Sequence, residues 1–324
     1  MNSTSKVSVI IPIYNEEANI PALLPRLLPV MKDLDRPYEI IFVDDGSRDQ
    51  SLTLLKRASE TYPHILVLEL ARNFGQHPAI LAAFRYATGA AVITIDADLQ
   101  NPPEEIPRIL EKLDEGFDVV GGVRQERQDS LFRRWASLLV NRITVLITRM
   151  KLRDYGCMLR GYSKDVIAQI NRCEENSTFI PALGLLFARR PTEIPVAHAA
   201  RTAGRSKYSF YRLIRLNFDL MTGFSVVPLQ IFTLLGFLVA GGGFLFGVYL
   251  LVRRFVLLRE SEAEGVFTLF ALAFVVMGML MAGVGIVGEY IGRIYQEVRG
   301  RPRFLVRNLY GDNAKQFKSA EFSL

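Results

Sequence analysis

VSVIIPIYNEE (Val7–Glu17) is a β-branched apolar run that stops at a tyrosine and a cluster of polar and acidic residues. A run of this kind, bounded by a turn, reads as a strand buried on both faces. The design recurs in YEIIFVDD (Tyr38–Asp45), HILVLEL (His64–Leu70), AVITIDAD (Ala91–Asp98) and FDVVGGV (Phe117–Val123). Between these runs, helical periodicity predicts helices over Glu17–Leu34, Gln50–Thr61, Gln76–Thr88 and Glu104–Glu115. Strands alternating with helices at this spacing imply βαβ units and a mainly parallel sheet covered on both faces. Ligands of such sheets bind outside the carboxyl ends of the strands. YNEE, DDGS and DADLQ all fall there.

Further along, Ser130–Met150 reads as another amphipathic helix, Asp154–Tyr162 as an irregular strand and Pro191–His198 as the last strand. Lys207–Met221 carries apolar and basic residues at helical spacing, the pattern of a helix lying in a membrane interface. Leu229–Val252 and Val266–Gly288 contain no charged residue, and each exceeds the ~20 residues that cross a bilayer. Arg205, Lys207, Arg212 and Arg215 precede this pair, and Arg293, Arg299, Arg301, Arg303 and Arg307 follow it. Their connecting loop holds only Arg253, Arg254 and Arg259, so the positive-inside rule puts both termini in the cytoplasm.

The expected organisation is therefore an α/β domain over residues 1–206 and an interfacial helix and linker over 207–228. A two-helix transmembrane hairpin over 229–292 follows, with spans of about 229–252 and 266–290, and then a tail over 293–324. The net charge of +6 suits an anionic surface. Because the basic residues crowd the flanks of the apolar segments, that surface reads as a membrane, with no nucleic acid implied. Cys157 and Cys173 have no CxxC or Cys/His spacing and read as reduced thiols. Met1–Lys6 is polar and Val7–Ile13 is too short for a signal-peptide core, so no signal peptide is expected.

Asp96-Ala97-Asp98 closes the fourth predicted strand. Strand residues two apart share a face, so both carboxylates can meet a nucleotide and a hard cation, with Gln100 adding a neutral oxygen. Tyr14 can lie against a base, and a carboxylate of the Asp44/Asp45 pair can accept the N3–H of uracil. Taken alone, DDGS is also a plain N-capped strand-to-helix turn. Three acidic strand ends together favour a ligand site.

VSVIIPIYNEE, DDGSRD, ARNFGQ and DADLQNPPEEIP resemble the family-2 glycosyltransferases, whose fold is the nucleotide-diphospho-sugar (GT-A) fold. The hairpin and GEYIGRIYQEVRGRPRF (Gly288–Phe304) are similar to the polyprenyl-phosphate branch of that family. RNFGQHPAI (Arg72–Ile80), DYGCMLRGY (Asp154–Tyr162) and Asn176–Arg201 narrow the resemblance to members that carry a formamido-arabinose for lipid A. In relatives handling mannose or glucose, RNFG usually continues with Lys-Glu; here it continues Gln76-His77, which argues against those sugars.

The resemblance implies a UDP-sugar donor, undecaprenyl phosphate as acceptor, a bilayer, and Mg²⁺ or Mn²⁺ as cofactor. It implies Pro12, Tyr14, Glu16 and Asp45 around the nucleoside, Asp96 and Asp98 at ribose and metal, and Gln100 near the metal. Arg124, Arg127, Arg133, Arg160, Arg205 and Lys207 form a basic set suited to an acceptor phosphate at the membrane plane. Arg160 is expected to end the DYGCMLR strand. Asp98, Asp154 and Arg160 would carry the chemistry, Asp154 either as general base or as the group that orients Arg160. A phosphate monoester with a second pKa near ~6 is mostly a dianion at neutral pH. Direct inverting displacement then needs chiefly positioning and charge neutralisation. The Gln-x-x-Arg-Trp signature of processive synthases is missing. His77 and His198 read as structural, and a homo-oligomer is left open.

Overall fold

The computed structural model describes residues 5–124, 157–173, 179–197, 227–252, 265–314 and 317. The chain divides into two compact units. The first begins with β1 (Val7–Ile13), α1 (Ile20–Asp33), β2 (Tyr38–Asp44), α2 (Ser51–Thr61), β3 (Ile65–Leu70), α3 (Gln76–Tyr86) and β4 (Ala91–Thr94). A short 3₁₀ turn, Pro103–Glu105, leads into α4 (Ile106–Asp114) and β5 (Val119–Arg124). Then come β6 (Arg160–Ser163), α5 (Lys164–Arg172), α6 (Ile180–Phe187) and β7 (Pro191–Val196). After the second unit the chain supplies β8 (Val306–Tyr310).

One eight-stranded sheet runs β7-β5-β6-β4-β1-β2-β3-β8. The neighbours β1/β2, β1/β4, β2/β3 and β5/β7 are parallel, whereas β4/β6, β5/β6 and β3/β8 are antiparallel. This is the mostly parallel GT-A-type sheet expected from the sequence. Side chains alternate across each strand, and β1 shows what this does. Val7, Val9, Ile11 and Ile13 join a core with Leu23, Leu27 and Met31 of α1 and Ile106, Ile109 and Leu113 of α4. Helix α3 packs along β1 and β2. Burying strands and helix faces in this way supplies the bulk of the stabilisation, at ~25 cal/mol per Å² of apolar surface removed from water.

At the amino ends of the strands, away from the polar loops, lies a buried polar knot. Glu39 of β2 accepts from Ser8 Oγ at 2.5 Å, from Thr88 N at 2.7 Å and from Lys6 Nζ at 2.7 Å. A buried carboxylate is tolerable only when satisfied in this manner.

Four expectations need correction. Strand β4 stops at Thr94, so Asp96 and Asp98 lie in the following turn and not on a strand. Pairing with β1 and β6 ends at Thr94, and Leu99 adopts a left-handed φ of 60°, which an extended strand cannot contain. Arg160 opens β6 and does not end a strand. Pro191–Val196 is not the last strand, since Val306–Tyr310, expected within a tail, adds β8 at the sheet edge. The second long helix also continues into that expected tail, as far as Val298. The predicted helix Ser130–Met150, Asp154 and the interfacial helix lie outside the described residues.

The second unit contains α7 (Val227–Val252) and α8 (Gly265–Val298). They touch where Gly283 faces Phe232: a Cβ on Gly283 would overlap the phenyl ring. Small residues permit such close helix approach. Large apolar side chains including Leu234, Phe237, Leu238, Met281, Val284 and Ile291 remain exposed. Among the described residues, Val275–Val298 is long and apolar enough to cross a membrane.

Candidate active site

Parallel pairing brings Ile13 beside Asp44, so the loops leaving β1 and β2 emerge side by side. They are stitched together. Asn15 takes a left-handed φ of 56°, a conformation Asn tolerates better than most residues, and its Oδ1 accepts Arg48 N at 2.8 Å. In return, Asn15 N donates to Ser47 Oγ at 3.0 Å and Glu16 N to Ser51 Oγ at 2.8 Å. Pro12 and Glu16 are half-buried along this seam, and Tyr14 projects from it with 39% of its surface exposed.

The Asp44/Asp45 pair divides its labour. Asp45 accepts the backbone N–H groups of Phe74 at 2.7 Å and Gly75 at 2.8 Å, tying the end of β2 to the loop before α3. Burial pushes its pKa up to about 6, although those two N–H bonds pull the other way. Asp44 Oδ2 takes a long 3.3 Å bond from Ser47 N, and its Oδ1 is buried without a hydrogen-bond partner among the described residues. Burial raises its pKa as well. Asp44, not Asp45, lines the cleft above the strand ends.

That cleft encloses about 260 Å³. Tyr14, Asp44 and Ser47 line it together with Glu69, Arg72 and Arg307. Gly46 makes the close packing beneath it possible: its φ is +69°, and a Cβ there would stand 2.7 Å from the backbone carbon of Arg72. Sequence reasoning missed Glu69, Arg72 and Arg307. Glu69 had a signal, a lone acid inside the apolar run HILVLEL. Arg307 had none beyond its positive charge.

Asp96 and Asp98 stand apart from the lining of this cleft. Gln76 Nε2, on the first turn of α3, donates to Asp96 Oδ1 at 2.5 Å. Burial, and then the charge of Asp98, lift the Asp96 pKa to about 7, with Arg124 opposing and Glu16 adding to the rise. The turn therefore carries repelling carboxylates within electrostatic reach of the β1 loop and of Arg124. Asp98 Oδ1 accepts Gln100 N at 3.1 Å, which fixes the bend, and Gln100 is half-buried.

Of the basic set, Arg124 ends β5 and is half-buried. Arg160 is wholly buried, with Nε donating to Cys157 O at 2.9 Å. His77 is half-buried and meets Phe179 edge-on at 5.1 Å. Burial, with Arg160 nearby, drops its pKa to about 4. Arg127, Arg133, Asp154, Arg205 and Lys207 lie outside the described residues.

The strand-end loops and the Asp-x-Asp turn fall within the span of a known family model. The model for "Glycosyl transferase family 2" matches residues 8–170. The chain belongs to glycosyl transferase family 2. It is 51% identical over 313 residues to the undecaprenyl-phosphate 4-deoxy-4-formamido-L-arabinose transferase of Salmonella paratyphi B, covering 96% of each chain. The protein of the same name from Salmonella choleraesuis is 52% identical over 305 residues, 94% of this chain and 93% of that one. Among solved structures, glucosyl-3-phosphoglycerate synthase from Mycobacterium tuberculosis in complex with UDP aligns at a TM-score of 0.48. That alignment has 17% identity and covers 68% of this chain and 79% of that chain.

Proposed function

We infer that this family-2 glycosyltransferase moves 4-deoxy-4-formamido-L-arabinose from its UDP donor to undecaprenyl phosphate at a membrane surface. The observation that carries the reading is identity of 51% across 96% of both chains with a relative named for that activity. Near-complete coverage matters because both the sheet unit and the apolar helices fall inside it. The same reading makes the product an intermediate for lipid A modification and so for resistance to cationic peptides.

In this reading the uracil rests on Tyr14 with its N3–H donated to Asp44, a carboxylate of the cleft lining with one oxygen unpartnered among the described residues. Asp45 shapes the site indirectly by holding Phe74 and Gly75. Asp96 and Asp98 would hold a divalent cation. The fit rests on the donor set: two carboxylates two residues apart on one turn, with the Gln100 amide two residues further on, are the hard oxygen ligands such ions take. Among the described residues no group of three or more His, Cys, Asp or Glu is placed to hold a metal. Mg²⁺ and Mn²⁺ commonly use one or two carboxylates and complete their shell with substrate phosphates. When bound, such an ion neutralises charge on the departing diphosphate.

Arg124 stands near enough to Asp96 to share in that neutralisation. The acceptor dianion needs little deprotonation, so the chain's task is to align it for inverting attack. The exposed apolar faces of α7 and α8 suit a bilayer, and the flanking arginines suit cytoplasmic termini.

Transfer of radiolabelled sugar to undecaprenyl phosphate, with several nucleotide donors in parallel, tests the reading. Turnover is expected with the UDP-formamidoarabinose donor and at background with UDP-glucose and a mannose donor. Preference for glucose or mannose would overturn the sugar assignment. No transfer from any donor would reduce the chain to a membrane scaffold.

A further inference from the structure

The chain beyond the second apolar helix reads as a basic tail, yet it returns to the sheet as β8 beside β3. The register of that pairing slips: Glu69 pairs with Asn308, while the next residue, Leu70, pairs with Val306. Arg307 is the extra residue of a β-bulge. Bulges bend a strand and re-aim a side chain, often next to active sites. Here the bulged residue lines the cleft that also holds Tyr14 and Asp44.

The strand is clamped on both sides of the bulge. Tyr310 Oη donates to Glu69 Oε2 at 2.5 Å and Asn308 Nδ2 to the same oxygen at 3.0 Å. Ala71 N donates to Leu305 O at 2.9 Å, and Lys56 Nζ lies 4.2 Å over the Tyr310 ring. Arg307 itself is only loosely engaged, 3.6 Å from Glu69 with 68% of its side chain exposed. An ion pair of that length and exposure adds little to stability. The bulge thus presents a cationic fork to the cleft without needing it as a strut.

We propose that Arg307 is a donor-specificity residue whose guanidinium donates to O4, the carbonyl that cytosine lacks, when uracil is seated on Tyr14 and Asp44. The proposal rests on the nucleotide reading above. The pairing edge of uracil is acceptor, donor, acceptor: O4, N3–H and O2. Asp44 matches the central donor, and an arginine beside it matches a flanking oxygen. Cytosine offers an unprotonated N3 to the carboxylate, which is repulsive, and an amino group in place of one carbonyl. A buried acceptor left unmatched is a strong source of discrimination. Strand β8 would thereby complete the base site built by the first two strands.

Calorimetric affinities for UDP and CDP, on the full-length protein in detergent with Mn²⁺ present, test this. Wild type is expected to favour UDP. Arg307→Ala should weaken UDP by ~10- to ~100-fold, the usual effect of losing one charge-assisted hydrogen bond. CDP should shift by less than ~3-fold, so the UDP/CDP ratio collapses, and Arg307→Lys should restore part of it. Thermal melting of both variants, alongside Tyr310→Phe as a strand-docking control, separates this effect from loss of β8. Equal losses for the two nucleotides would make Arg307 a general electrostatic or structural residue and overturn the proposal, as would an unchanged ratio. A wild type that does not prefer UDP at all would instead sink the nucleotide reading beneath it.

Discussion

Asp45 Oδ1 accepts the backbone N–H of Phe74 at 2.7 Å, joining the end of one parallel strand to the loop that follows its neighbour. Its second oxygen takes Gly75 N at 2.8 Å, so a carboxylate expected at the nucleoside is occupied by the protein itself. Adjacent aspartates consequently do different work: one builds the wall, and the other faces the cleft.

That division is testable by paired substitutions. Asp45→Ala should cost about 1.5–3 kcal/mol, because two backbone donors lose a charged acceptor. For a unit of this size the melting temperature should fall by roughly 3–12 °C. Asp44→Asn should leave melting nearly unchanged while weakening UDP at least ~10-fold, since the amide offers the uracil N3–H a poorer acceptor. Thermal melts and UDP calorimetry on the two variants check both halves. If Asp45→Ala melts like wild type but loses UDP, the roles are reversed.

Gly46 sets the spacing between the same two loops. Its φ of +69° disfavours any side chain, and a Cβ would meet Arg72 C at 2.7 Å and Asn73 N at 2.8 Å. Backbone atoms cannot swing aside as a flexible side chain would. Gly46→Ala should therefore destabilise the protein by about 2 kcal/mol or more, combining left-handed strain with the clash. Since Arg72 and Asn73 line the cleft, UDP affinity should fall in the same variant. Wild-type melting in Gly46→Ala would show that this packing is looser than the geometry implies.

Glu39 gives a pH dependence with a definite sign. Burial alone would raise its pKa, but hydrogen bonds from Lys6, Ser8 and Thr88 outweigh that, and the net shift is downward from 4.5. A carboxyl depressed in the folded state stabilises fully above its unfolded pKa, and the contribution disappears as pH falls through the folded value. Glu39→Gln should cost about 1–3 kcal/mol at pH 7. The melting gap between wild type and variant should narrow only below pH 4.5. A gap that stays constant down to pH 3 would mean that the charge of Glu39 is not what the knot uses.

The central strands were legible because each is buried on both faces, so the apolar run and the strand coincide residue for residue in β1. Strand β8 was not legible. VRNLY lies at a sheet edge with only Leu309 buried, so it lacks both an apolar run and a clean alternation. Its pairing partner is also some 240 residues away, as the 241-residue separation of Tyr310 and Glu69 shows. The Asp-x-Asp motif was legible as chemistry but not as geometry, since nothing in AVITIDAD marks Thr94 as the last paired residue. Arg160 was legible as a cation near the end of a motif, and neither its charge nor its position reveals that the side chain is wholly buried. In each case the missing information was a tertiary contact.

The Asp-x-Asp turn carries the last prediction, which concerns metal. Asp96 is held by Gln76 at 2.5 Å and crowded by Asp98, whose own Oδ1 fixes the turn through Gln100 N. Asp98→Asn removes one charge from this pair. It keeps an oxygen that can still accept the Gln100 N–H, so the turn should survive and melting should stay within ~1 °C of wild type. Cation binding should suffer, because hard divalent ions depend on carboxylate charge. UDP affinity measured with Mn²⁺ should drop in Asp98→Asn by at least ~10-fold, and transfer to undecaprenyl phosphate should fall to background. With EDTA in place of Mn²⁺, wild type and variant should bind UDP equally weakly, since the remaining contacts then act without the cation. This four-way comparison isolates the coupling between ion and nucleotide from any general damage to the site. Full transfer by Asp98→Asn, or by wild type in EDTA, would remove the cation from the mechanism and leave Arg124 and its neighbours to neutralise the diphosphate.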